Sequence, residues 1–98
     1  MNQDDHKARL IVLISGSGTN LQAILDACAR GEIAADVVAV ICDRPDAYGL
    51  QRATAAGVPA LVRQKPKGQP RAEYDASLAL LCESYQPDFI ILAGWMRL

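Results

Sequence analysis

The residues best suited to chemistry are Ser15-Gly16-Ser17-Gly18-Thr19-Asn20-Leu21, a short run dense in glycine and hydroxyl groups. Glycines permit a tight turn and let a ligand come close to the backbone. The first N–H groups of a helix have no partner within it, and the helix dipole favours negative charge at that end. Thr19 and Asn20 add side-chain donors. A helix beginning here would therefore offer a site for a phosphate or a carboxylate. A plainer alternative is a glycine turn in which Ser17 or Thr19 only caps the helix. A third reading is a dinucleotide site, but its fingerprint needs G-x-G-x-x-G and Leu21 stands at the third glycine position. Asp43 stands where a ribose-binding acid would. Gly16, Gly18 and Asp43 thus keep a non-catalytic dinucleotide-binding module open.

The remaining polar residues read more plainly. Asp43, Asp46, Asp75 and Asp88 fall at turns or helix ends, where Asp commonly caps. Lys65-Pro66-Lys67 reads as a solvated loop. Cys28, Cys42 and Cys82 are widely spaced in apolar surroundings and form no CxxC or Cys/His cluster, so they read as buried reduced thiols and not as metal ligands. The only histidine is His6, in a polar stretch at 1–8. Chemistry at neutral pH that needs a histidine acid or base must find it elsewhere.

The elements that must position the glycine loop follow from apolar periodicity. Arg9 to Ile14 is a continuous β-branched run, read as a strand buried on both faces. Leu21, Ile24, Leu25 and Cys28 recur at helical spacing, and Gly31 stops that helix. Val37 to Cys42 is a second buried strand. A turn with a cap at Asp46 leads into a helix from about Ala47 to Ala56, ended by Gly57. Pro59 to Val62 is a short third strand, and 63–70 is a polar loop. Arg71 to about Tyr85 is helical, with Tyr74, Leu78, Leu81 and Cys82 on one face. Phe89 to Ala93 is a fourth buried strand. The β-α-β-α-β-α-β order predicts an α/β fold: a doubly wound, Rossmann-like parallel sheet of strand order 3-2-1-4. Its fourth strand would be an edge as apolar as an interior strand, so the sheet is expected to continue beyond it, or to pair there in a homodimer or a strand-swapped assembly.

Composition agrees with one folded domain over 9–98. The chain has 98 residues, 51% hydrophobic and 21% charged. A disordered chain would be poorer in apolar residues. Ten Lys+Arg against eleven Asp+Glu leave a net charge of −1, without the basic excess of a nucleic-acid or anionic-membrane binder. No apolar run reaches the ~18 residues of a membrane helix, and the polar start does not read as a signal peptide. A cytoplasmic protein is expected.

The run Ile14 to Ile24 resembles the first loop of phosphoribosylglycinamide formyltransferases, and the likeness continues through Cys42-Asp43-Arg44-Pro45-Asp46-Ala47-Tyr48-Gly49-Leu50, Arg71-Ala72-Glu73-Tyr74-Asp75 and Pro87 to Arg97. It covers about Ala8 to Leu98. The resemblance implies transfer of a formyl group from 10-formyltetrahydrofolate, as cosubstrate and without a metal, to glycinamide ribonucleotide in purine biosynthesis. It implies that Gly18, Thr19 and Asn20 hold the substrate phosphate. It gives Arg71 the acidic tail of the folate, and Met96, Arg97 and Leu98 the wall of the pterin pocket. For Met96, Leu98 and Trp95, ordinary core packing is the alternative. The family's asparagine, histidine and aspartate that handle the oxyanion and the protons would lie beyond Leu98, so no catalytic residue is expected within the chain, and the chain by itself is expected to bind rather than turn over. A formyltetrahydrofolate deformylase shares the fold and some motifs and is the other enzyme reading; it usually carries a regulatory domain ahead of this region, and none is expected here.

Overall fold

A computed structural model describes residues 7–96. His6, Arg97 and Leu98 lie outside the described residues. The elements run β1 (Ala8–Ile14), α1 (Thr19–Ala29), β2 (Ala35–Cys42), α2 (Gly49–Ala55), β3 (Ala60–Val62), α3 (Arg71–Glu83) and β4 (Phe89–Leu92). The four strands form one parallel sheet in the order β3-β2-β1-β4, as the alternation of elements predicts.

β1 is one of the two interior strands, between β2 and β4, with Ile11, Val12 and Ile14 fully buried. Successive side chains of a strand point to opposite faces. Val12 and Ile14, with Val40 and Cys42 of β2, pack against Leu21 and Leu25 of α1 and Ala53 of α2. Ile11 and Leu13, with Ala39 and Ile41, pack against Tyr74 and Cys82 of α3 and against Trp95. Trp95 is therefore core, the plainer of its two readings. Two helices cover one face and one covers the other. The chain path turns back at β1, between β1 and β4, and open α/β sheets bind ligands at the carboxyl ends of the strands at such a point.

The helix stops follow the sequence. After α1 the N–H of Gly31 donates to Cys28 O (3.1 Å) and that of Glu32 to Ala27 O (2.9 Å). This paired closure uses the positive φ that Gly31 adopts. The far end of α3 is held differently. Arg9 sends its Nη2 to Tyr85 O (2.7 Å) and its Nε to Gln86 O (3.0 Å), while its backbone N–H donates to Asp88 Oδ2 (2.7 Å). One arginine thus ties β1 to the end of α3 and the start of β4. Arg9→Ala is expected to lower stability by about 1–2 kcal/mol, the exposed end of the range for charged hydrogen bonds. Urea unfolding measures this, and an unchanged midpoint would show the clamp to be idle.

Three sequence expectations need correction. β4 is not buried on both faces: Phe89 is 62% and Leu92 53% exposed. It is the terminal strand and pairs only along β1, from Leu10–Phe89 to Leu13–Leu92, so its apolar run lacks the second neighbour that buries β1. Asp46 does not cap α2. That helix begins at Gly49 after an N-cap at Tyr48 that makes no side-chain cap bond, and Asp46 instead sits 3.7 Å from the Arg44 guanidinium. Asp75 lies inside α3, one turn after Arg71, at 3.8 Å from its Nε. The thiols are free; Cys42 and Cys82 are buried and Cys28 half-buried, and burial pushes all three above the ordinary thiol value. No described helix is long and apolar enough to cross a membrane.

Candidate functional site

At the carboxyl ends of β1, β2 and β4 the loops line an open cavity of about 460 Å³. The β1–α1 loop contributes Ser15 to Gly18 and the start of α1 Thr19 and Asn20, the turn after β2 contributes Asp43 and Arg44, and the segment after β4 contributes Ala93, Gly94 and Met96. This is the switch point of the sheet.

The loop has one backbone conformation that its sequence makes available. Gly18 is the N-cap of α1, with φ 79° and ψ 26° in the left-handed region, and there is no side-chain cap bond. The reading in which Ser17 or Thr19 merely caps the helix is therefore not the one adopted. Thr19 and Asn20 form the exposed first residues of α1 at the cavity wall. No acidic residue occupies the first turn of α1. The end of the helix is thus open to an outside acceptor, with its dipole directed at the cavity.

A second layer backs this loop, and sequence reading does not find it. The Gly49 N–H donates to Gly16 O at 3.1 Å, and Arg52 Nε donates to Ser17 O at 2.7 Å. Arg52 Nη1 also reaches Gln22 Oε1 (3.3 Å), and its guanidinium lies over the Tyr48 ring, 4.9 Å from the centroid. The loop and α2 meet so closely that a Cβ on Gly18 would stand 2.7 Å from Gly49 Cα, and one on Gly49 would meet the Ile14 side chain and stand 3.0 Å from Gly16 O. Two glycines facing each other are required at this crossing. Gly49 is visible in sequence, but only as part of a resemblance.

The other walls are also fixed. Ser15, buried at 4%, accepts a hydrogen bond from the Met96 N–H at 2.9 Å through its Oγ, which joins the loop to the segment after β4. Met96 itself is 78% exposed, so its side chain is a cavity wall and not core. The Cys42 thiol donates to Arg44 O (3.2 Å) and accepts from the Arg44 N–H (3.4 Å), which shapes the turn that carries Asp43. Asp43 is buried at 5%. Leu21 is fully buried against Val12 and Ile14, and so fills the space between helix and sheet that the third glycine of a dinucleotide fingerprint would leave.

The structure brings Gly18, Thr19, Asn20 and Met96 to one cavity. It does not bring Arg71 there. Arg71 opens α3 with a half-exposed guanidinium and is not among the cavity-lining residues. Arg97 and Leu98 follow Met96 outside the described residues. Among the described residues no group of His, Cys, Asp and Glu is arranged to hold a metal ion.

Comparison with known proteins adds to this geometry. Residues 8–98 match the model of the family described as formyl transferase. The phosphoribosylglycinamide formyltransferase of Escherichia coli is 43% identical over 89 residues, which cover 91% of this chain and 42% of that protein. The trifunctional purine biosynthetic protein adenosine-3 of Drosophila melanogaster is 49% identical over 94 residues, 93% of this chain and 7% of that protein. Among solved structures, glycinamide ribonucleotide transformylase 1 from Symbiobacterium toebii superposes with a TM-score of 0.91 at 54% identity, over 95% of this chain and 44% of that one. The chain thus spans less than half the length of these relatives.

Proposed function

The chain belongs to the formyl transferase family, and from that premise we propose that residues 9–98, after the polar stretch at 1–8, are the phosphate-binding half of a phosphoribosylglycinamide formyltransferase domain. The reaction is transfer of the formyl group of 10-formyltetrahydrofolate to the amine of 5-phosphoribosylglycinamide, in the cytoplasm and without a metal. One observation carries the reading: α1 starts at a left-handed glycine without a side-chain cap, inside a cavity at the switch point of the sheet. A phosphate on the Gly18, Thr19 and Asn20 N–H groups and on the Asn20 side-chain amide satisfies those donors and meets the positive end of the helix dipole.

The same cavity gives the second ligand a wall. Met96 is exposed there and offers a flexible apolar surface to a flat ring, with Arg97 and Leu98 next in sequence. The Arg71 guanidinium suits the carboxylates of the folate tail through its planar fork. Such a carboxylate would compete with Asp75, 3.8 Å away. Formyl transfer to an amine passes through a tetrahedral intermediate, which needs a donor to its oxyanion and a group to move protons. The part given to this chain is to bind and orient: it fixes the phosphate end of one substrate and flanks the other.

A calorimetric titration with glycinamide ribonucleotide, with NAD as control, tests the proposal. Saturable binding of the ribonucleotide is expected, weakened about 10- to 100-fold in Asn20→Ala, as for loss of one charge-assisted hydrogen bond. Saturation by NAD with no binding of the ribonucleotide would overturn the reading and return attention to Asp43.

A further inference from the structure

The phosphate loop is shaped from behind, by α2. We infer that Arg52 is a positioning residue for the anion site, acting through the Ser17 carbonyl and not by touching the ligand. The inference rests on the proposed phosphate role of Gly18 to Asn20.

The argument is one of peptide geometry. In a trans peptide the C=O and the following N–H point in opposite directions. Two consecutive loop carbonyls are claimed by the start of α2: Gly16 O by the Gly49 N–H at 3.1 Å and Ser17 O by Arg52 Nε at 2.7 Å. The N–H groups of Ser17 and Gly18 must then point away from α2. No α2 residue lines the cavity, whereas Ser17 and Gly18 both do. The clamp therefore turns consecutive N–H groups to the cavity side and sets them in line with the open end of α1. Successive N–H groups in such an array form an anion-binding concavity. Without the clamp the Ser17–Gly18 peptide can rotate, and a rotated peptide presents its carbonyl oxygen to an anion.

Arg52 is built to hold this position. Its guanidinium is stacked on Tyr48 at 4.9 Å, and its Nη1 donates to Gln22 Oε1 at 3.3 Å. Gln22 lies in the first turn of α1, and its N–H donates to Gly18 O at 2.8 Å. One side chain thus fixes the loop and the helix start together. Lysine keeps the charge and one donor to Ser17 O but cannot reach both partners with a planar fork.

The test reads the loop with and without ligand. In the ligand-free chain, Arg52→Ala is expected to lower the backbone order parameters of Ser17 and Gly18 from about 0.85 toward about 0.6, the values of rigid and flexible backbone. The melting temperature should fall by only about 4–8 °C, as for loss of exposed hydrogen bonds, because Arg52 is not part of either apolar cluster. Binding of inorganic phosphate and of glycinamide ribonucleotide should weaken by about ten-fold, as for one charge-assisted hydrogen bond. Arg52→Lys should recover most of both effects. If Arg52→Ala does not fold, Arg52→Gln, which keeps a neutral donor, carries the same comparison. Unchanged order parameters at Ser17 and Gly18 would overturn the inference, even if binding falls, because the arginine would then act by charge alone. Failure of the unaltered chain to bind either phosphate compound would overturn the functional reading instead, while the ligand-free measurement still decides the role of Arg52.

Discussion

Gly18→Ala is expected to weaken phosphate binding by about 100-fold and to lower stability by about 2–5 kcal/mol, the sum of left-handed strain and local overpacking. The backbone at Gly18 has φ 79°, where an L side chain costs about 1–2 kcal/mol. The new Cβ would also stand 2.7 Å from Gly49 Cα, and Arg52 Cδ lies at 3.3 Å. The first of these is backbone, so relief requires the loop and α2 to separate. Separation stretches the Gly49–Gly16 and Arg52–Ser17 hydrogen bonds together. The anion site and the fold should therefore fail through one movement. Gly16→Ala is the control, since a Cβ there meets nothing within 4 Å. Urea unfolding and calorimetric titration of both variants decide the matter. If Gly18→Ala stays within about 1 kcal/mol of the parent and binds as tightly, the close approach does not constrain the site.

How much of this is readable in advance depends on the range of the interaction. The sheet order, the glycine helix stops and the place of the loop are set by local periodicity and by handedness, and both are present in the apolar pattern. Leu21 is a further case: its helical spacing from Ile24, Leu25 and Cys28 marks it as core, and core is what it is. The backing of the loop is different. Arg52 meets Ser17 across 35 positions of sequence, and nothing in the local pattern says which way its guanidinium turns.

The errors have physical causes of the same kind. Asp46 reads as a cap because it precedes a helical segment, but the first N–H of α2 is already taken by Gly16 O, so no side-chain acceptor is needed there. β4 reads as buried from its apolar run and as an edge from the strand order, and the edge position decides: it has one neighbour and its side chains stay exposed. Ser15 reads as part of a turn; its bond to the Met96 N–H joins residues 81 positions apart and emerges only once β1 and β4 are adjacent.

Leu21→Gly is the stronger test of the fold and the sharper test between ligands. The side chain is fully buried between α1 and the sheet. Removing a buried leucine to alanine costs about 2–5 kcal/mol, and glycine in a helix adds about 1 kcal/mol. A loss of about 3–6 kcal/mol is expected, comparable with the whole stability of many small domains. The change completes the G-x-G-x-x-G spacing that begins at Gly16 and that a dinucleotide fingerprint requires. If the chain were a dinucleotide-binding module weakened by one residue, this variant would gain affinity for NAD. A domain built around a single phosphate gains nothing from it. Leu21 packs on Val12 and Ile14, so its loss leaves a void under the very turn that aims Gly18, Thr19 and Asn20. The variant should therefore lose ribonucleotide binding without acquiring NAD binding, as read by titration at low temperature, where unfolding by circular dichroism shows the folded fraction. Acquisition of NAD binding would show that leucine alone separates the two kinds of site, and the phosphate reading of the loop would fall with it.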